Sequence, residues 1–216
     1  MATINEIAQE LHAYGESIIL VYALNSSGKT RLSVEYKDLT KAENEGNHAG
    51  VYYNAYSEDL FVWDNDEPNQ NANIRLTVVP STLSQFHSFL IEDDNRIREK
   101  LEQYLPAHNF SLNSHDNLED GIESITFFNE DNPDHSIKIS RGEERIFVWC
   151  FFLALFEVDG WADEQNAHIL IDDPVSSLDD HNIFITTRSI FDLIKANHMN
   201  KNKIIISVLN NYIAFI

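Results

Sequence analysis

Two stretches of this chain combine residue types and spacing suited to phosphate chemistry. The first is Ala23-Leu24-Asn25-Ser26-Ser27-Gly28-Lys29-Thr30, a loop of small residues that would open a helix. Such a loop turns backbone N–H groups and the positive end of a helix dipole toward an anion. Asn25, Ser26, Ser27 and Gly28 would cradle the phosphates, Lys29 would reach the β- and γ-phosphates, and the Thr30 hydroxyl would bind Mg²⁺. The pattern departs from the usual phosphate loop at one place, where Ala23 stands for the first glycine. The second stretch is Ile169-Leu170-Ile171-Asp172-Asp173, an aliphatic run ending in adjacent carboxylates. Acids at the end of a buried strand are costly unless they hold a metal ion or polarise a water. Asp172 is the expected partner of Thr30 on the metal.

These residues need strands to carry them. Residues 18–22 and 169–171 are short apolar runs without charge, which read as buried strands. The two sites must then meet at the ends of neighbouring strands. A helix is expected from Thr30 through roughly Lys37, and the spacing of Ile4, Ile7, Ala8 and Leu11 predicts an amphipathic helix ahead of the first strand. The order of apolar strand, phosphate loop, helix and acid-tipped strand predicts an α/β class with a mixed or parallel sheet flanked by helices.

Composition bounds the rest. With 216 residues and 43% hydrophobic content the chain can bury one substantial core. Its 35 acids against 15 bases give a net charge of −20, which argues against a broad groove for a nucleic-acid backbone. Any nucleic-acid contact is expected to be local or made by a partner. The single cysteine, Cys150, lies in the apolar run 146–156 and reads as a core residue in a reducing compartment. No signal peptide and no membrane-length apolar run is evident, so a cytoplasmic protein is expected.

Further along, residues 50–56 read as a strand continued through 57–63, and 64–71 as a polar loop. The alternating acids of that loop resemble a calcium site, but Pro68 occupies a ligand position, which excludes it. Residues 74–79 read as a strand, 81–105 as helical with a break at Glu92-Asp93-Asp94-Asn95, and 110–112 and 122–128 as strands. Ser140-Arg141-Gly142-Glu143 precedes a strongly apolar helix over 146–156. Ser140 and Glu143 fit a capping box there, and the same hydroxyl and free N–H groups could also face an anion. The nine histidines are scattered without metal-ligand spacing. His168 and His181, which flank the acidic strand, read as solvent-facing or hydrogen-bonded.

Taken in order, the phosphate loop at 23–30, Ile139-Ser140-Arg141-Gly142-Glu143, the strand at 169–173 and Ser176-Ser177-Leu178-Asp179 make the chain resemble the ABC-type ATPases. Within them it is most similar to the group that includes SMC, RecF and the ATPase domains of anticodon nucleases and other phage-defence proteins. The resemblance implies a P-loop ATPase head of two lobes, about 1–80 with 160–216 and about 81–159, without a coiled coil. It implies Mg²⁺-dependent ATP hydrolysis coupled to head-to-tail homodimerisation, in phage defence or DNA repair, with an effector nuclease or nucleic acid reached through a partner. Asp173 would orient or deprotonate the attacking water. Ser140 and Gly142 of one subunit would meet the γ-phosphate held by the other, and Asp179 lies on the loop facing that subunit.

The pattern departs from the family at two places. Ser57-Glu58-Asp59 stands where a glutamine is usual, making Glu58 the substitute metal contact. After a strand at 203–207 the chain reads Val208-Leu209-Asn210-Asn211-Tyr212 in place of a γ-phosphate-contacting histidine. The resemblance therefore implies a chain truncated or frame-shifted near Ser207, which a Ser-Thr-His continuation in the DNA beyond Ile216 would test. The alternative function is a nucleotide-binding sensor or interaction module without turnover.

Overall fold

The computed structural model describes residues 2–24, 27–43, 50–54, 60–80, 84–157, 168–175, 178–197 and 203–209. In chain order the first half runs α1 (Ile4–Ala13), β1 (Ile18–Ala23), α2 (Lys29–Glu43), β2 (Gly50–Asn54), β3 (Phe61–Asp64), β4 (Arg75–Val78), α3 (His87–Glu92) and α4 (Asn95–Glu102). The second half runs β5 (Asn109–Ser114), β6 (Ile122–Asn129), β7 (Asn132–Ile137), α5 (Arg141–Phe156), β8 (His168–Asp172), α6 (Asp180–Asn197) and β9 (Lys203–Leu209). They form two compact units, residues 1–55 with 159–216, and residues 56–158.

The first unit is built on a sheet ordered β1-β9-β8-β2, parallel at every pairing. Parallel neighbours require crossovers, and helices α2 and α6 lie on those connections. β8 is buried on both faces, as an uncharged aliphatic run should be. β1 alternates instead: Ile19 and Val21 pack beside Ala8, Leu11, Tyr36 and Leu170, while Ile18, Leu20 and Tyr22 are exposed. β1 and β8, expected to be neighbours, are separated by β9, and Val21, Ser207 and Asp172 share one register row. All four strands still point the same way, so the loop after β1 and the acids after β8 leave the same edge of the sheet.

Helix α2 runs to Glu43, past the expected end near Lys37. Its buried stripe is Ser33, Tyr36 and Thr40, at i, i+3 and i+7. The Ser33 and Thr40 hydroxyls donate to the carbonyls of Lys29 and Lys37, so two polar side chains are buried without loss. A search for apolar periodicity cannot see that face.

The second unit wraps an antiparallel sheet around α5. β6 pairs β5 along one edge and β4 along the other, β3 extends β4, and β7 hairpins onto the end of β6. Residues 146–155 of α5 are all buried. Phe147 meets Phe110 and Phe127 edge-on at 5.1 and 4.9 Å, and Phe151 meets Phe61 at 5.5 Å. Such aromatic pairs contribute about 0.5–1.5 kcal/mol each beyond the area they bury. The expected continuous strand over 50–63 is two strands in two sheets, because Gly50–Asn54 extends the parallel sheet beside β8 and Phe61–Asp64 pairs with β4. The expected lobe boundary near residue 80 therefore falls inside this second unit. The loop at 65–73 is tied by Asp66, whose carboxylate accepts from Asn69 Nδ2 and from the main-chain and side-chain N–H groups of Asn73. Its acid is satisfied by amides.

Candidate functional site

Three local facts shape the turn after β1. Ser27 N–H donates to Leu24 O at 3.2 Å, closing the turn. Gly28 then takes a φ of +99°, left-handed backbone that a Cβ would strain. Leu32 N–H donates to Gly28 O at 2.8 Å as the first helical bond of α2, so the N–H groups of Lys29, Thr30 and Arg31 precede it. Those groups are the free donors of a helix start, the arrangement that receives phosphate. Lys29 Nζ lies 3.3 Å from both Ala23 O and Leu24 O, folded over the loop it belongs to. Asn25 and Ser26 lie outside the described residues.

The end of β8 answers this turn. Asp172 is 2% exposed and Asp173, directly after the strand, 5%. The Thr30 hydroxyl donates to Asp172 Oδ2 at 3.2 Å. One intervening strand does not prevent the meeting, because Thr30 lies in the first turn of α2, past the end of β1. Asp173 has a φ of +51°, a conformation uncommon for a residue with a side chain and tolerated best by Asn and Asp. The turn changes the direction of the chain just where the second carboxylate is placed.

The donor set fits Mg²⁺. Cis ligands about 2.1 Å from an octahedral ion stand roughly 3 Å apart, close to the Thr30–Asp172 separation. Both are hard oxygen donors, and Mg²⁺ is commonly held by one or two protein oxygens with phosphate and water completing the shell. Among the described residues no group of three or more His, Cys, Asp and Glu is placed to hold a metal by itself.

The other sequence-selected residues fall elsewhere. Ser140 is the N-cap of α5, where its Oγ accepts from Glu143 N–H at 3.3 Å and its own N–H donates to Glu143 Oε2 at 2.8 Å. Gly142 is in the first turn of that helix, and both residues belong to the second unit. Burial works against the Glu143 charge, yet the Ser140 hydrogen bonds and His108 hold its carboxyl below the usual range. Asp179 caps α6, accepting from Asn182 N–H at 2.9 Å and Asn182 Nδ2 at 2.8 Å. Glu58, Ser176 and Ser177 lie outside the described residues. His168 is hydrogen-bonded through Nδ1 to the Tyr36 hydroxyl at 2.8 Å and stacks on His12.

Comparison with known proteins adds the family. The profile described as the AAA domain matches residues 89–213, more than half of the chain, a span that holds Ser140, Asp172 and Asp173. This chain belongs to the AAA domain family. Similarity to an Escherichia coli protein named anticodon nuclease extends further, at 32% identity over 251 aligned positions and 94% of this chain. The chain spans 62% of the length of that protein. A solved SMC head bound to the C-winged helix domain of ScpA aligns over 92% of this chain and 83% of its own, at 12% identity and a TM-score of 0.43. No helix among the described residues is long and apolar enough to cross a membrane.

Sequence reasoning missed Ile4, whose Cδ1 lies 3.2 Å from the point a Cβ on Gly28 would occupy. Nothing in the spacing of α1 marks that residue as different from its neighbours on the same face.

Proposed function

We propose that this AAA-family protein binds ATP with Mg²⁺ and hydrolyses it. The observation that carries the reading is the Thr30 to Asp172 contact, which places the start of the phosphate-loop helix against the carboxylate that ends β8. Bound Mg²⁺ would supply Lewis-acid polarisation of the phosphoryl oxygens. Thr30 and Asp172 hold the ion, the N–H groups from Gly28 to Arg31 bind the phosphate oxygens, and Asn25, Ser26 and Ser27 complete the loop. Lys29 leaves the carbonyls of Ala23 and Leu24 for the β- and γ-phosphates, exchanging two neutral acceptors for charged ones. Asp173 orients the attacking water and accepts its proton.

The second half of the site comes from another copy. Ser140 and Gly142 at the start of α5 contact the γ-phosphate held by the partner's loop, and Asp179 lies on the loop between the two copies. Nucleotide thereby drives homodimerisation. The likeness to a nuclease of Escherichia coli supports a role in phage defence, with DNA repair as the other setting, the effector being carried by a partner. Phosphate release with light scattering tests the core of this reading. ATP-dependent dimers and turnover, both lost in Lys29→Ala, are expected, and failure to bind ATP at millimolar concentration overturns it.

A second reading is a nucleotide-binding sensor without turnover. It is favoured by the amides Asn210 and Asn211 and the phenol Tyr212 that follow β9, where the ABC-type pattern calls for a γ-phosphate-contacting histidine. ATP binding and dimerisation without phosphate release would select it.

A further inference from the structure

We propose that Ile4 is a positioning residue for the phosphate loop. Helix α1 is held at its middle and far end, where Ala8 and Leu11 are buried with Tyr36 and Leu170 and packed by Ile7, Ile19, Val21 and Leu32. Its first turn is held by a capping box, in which Thr3 Oγ1 accepts from Glu6 N–H at 3.2 Å and Thr3 N–H donates to Glu6 Oε2. Between these anchors Ile4 projects its δ-methyl onto Gly28. Among the described residues no other heavy atom outside the immediate chain neighbours of Gly28 lies within 4 Å of the position a Cβ there would take.

Gly28 is the joint of the loop. Its left-handed φ turns the chain from Ser27 into α2, and its carbonyl accepts the first helical bond from Leu32. A glycine loses more conformational freedom on ordering than any other residue, so this joint would be the softest point of the loop if nothing pressed on it. The Ile4 δ-methyl closes the space into which Gly28 would relax. That contact holds the N–H groups of Gly28, Lys29 and Thr30 in the direction needed by a phosphate before one arrives, and preorganisation of this kind lowers the ordering cost of binding. The rest of the helix is thereby a strut from the core to the loop. Ile4 touches neither phosphate nor metal, so it acts through Gly28.

The proposal rests on the nucleotide-binding reading, and two measurements on the full chain separate the two. Ile4→Val removes only the δ-methyl that meets Gly28, whereas Ile4→Leu keeps δ-carbons while moving the branch from Cβ to Cγ. In the nucleotide-free protein, amide exchange at Leu32, whose N–H donates to Gly28 O, is expected to quicken several-fold in Ile4→Val and to return toward wild type in Ile4→Leu. In MgATP titrations Ile4→Val is expected to raise Kd at least threefold with kcat unchanged, while thermal stability falls by no more than a degree or two. A parallel loss of stability with unaltered exchange at Leu32 would mark a merely structural role. Unchanged exchange and unchanged Kd in a folded Ile4→Val protein overturn the proposal. If wild-type protein ignores ATP, the nucleotide reading fails by itself, and the exchange rates alone decide whether Ile4 sets the loop.

Discussion

The Thr30 hydroxyl and Asp172 Oδ2 lie 3.2 Å apart although 142 positions separate them in the chain. If this pair is the metal seat, its loss should show in the Mg²⁺ dependence of binding. In Asp172→Asn, ATP affinity without Mg²⁺ is expected to match wild type. The gain on adding Mg²⁺ should shrink by an order of magnitude or more. Titration of nucleotide affinity against Mg²⁺ checks it.

Asp173 has a separate consequence. Replacing it by Asn keeps the size of the side chain and its tolerance of a positive φ, so the turn after β8 survives. A general base contributes about 10²–10⁴ in rate. Single-turnover phosphate release should fall by that range in Asp173→Asn while ATP affinity stays within a few-fold. Equal rates in the two proteins would remove Asp173 from the chemistry.

Ser140 carries a cost that is independent of nucleotide. Its Oγ accepts the Glu143 N–H at the start of α5, and loss of such a cap destabilises by about 1 kcal/mol. Ser140→Ala should lower the urea midpoint without changing the slope, and Ser140→Asp should recover most of the loss. A variant with wild-type stability and impaired ATP-dependent dimerisation would instead place the hydroxyl wholly at an interface.

Acid should weaken the second unit through His87. Burial pushes its pKa down to about 4, and its Nδ1 accepts from Ile122 N–H while the ring lies edge-on to Phe151. The folded protein therefore resists a proton that the unfolded chain accepts near pH 6.5, and stability is lost as pH falls from about 6.5 toward 4. The full window is worth about 3 kcal/mol. His108, lowered chiefly by burial with Glu143 opposing, acts in the same direction. Denaturant midpoints between pH 7 and 4.5 should fall steeply in wild type and less steeply in His87→Gln.

Gly121 explains why His87 is so enclosed. At a φ of +81°, a Cβ on Gly121 would stand 2.7 Å from Ser84 O and 2.9 Å from His87 Nδ1. Strain and overlap together should make Gly121→Ala less stable by about 2–4 kcal/mol, read from chemical denaturation. A loss under half a kcal/mol would mean the turn yields freely.

Much of the site was legible because its signals are local. A glycine before lysine and threonine announces a turn into a helix, and an aliphatic run ending in two acids announces a strand that delivers carboxylates at its end. Ser140 with Glu143 was readable as a capping box, since the motif spans a single turn and needs no distant partner. The length of α2 was not readable, because its buried stripe of Ser33, Tyr36 and Thr40 is polar in letters and inward in space.

The sequence by itself determined the class of elements, the two motifs of the candidate site and the sign of the charge, all of which follow from periodicity, turn chemistry and composition over a few residues. Tertiary structure alone decided that β9 lies between β1 and β8, that 50–63 divides between two sheets, and that Ile4 Cδ1 fills the space a Cβ on Gly28 would need. The physical reason is that strand order and long-range contact are won by burial summed over segments far apart in the chain. No single segment carries that sum in its own letters.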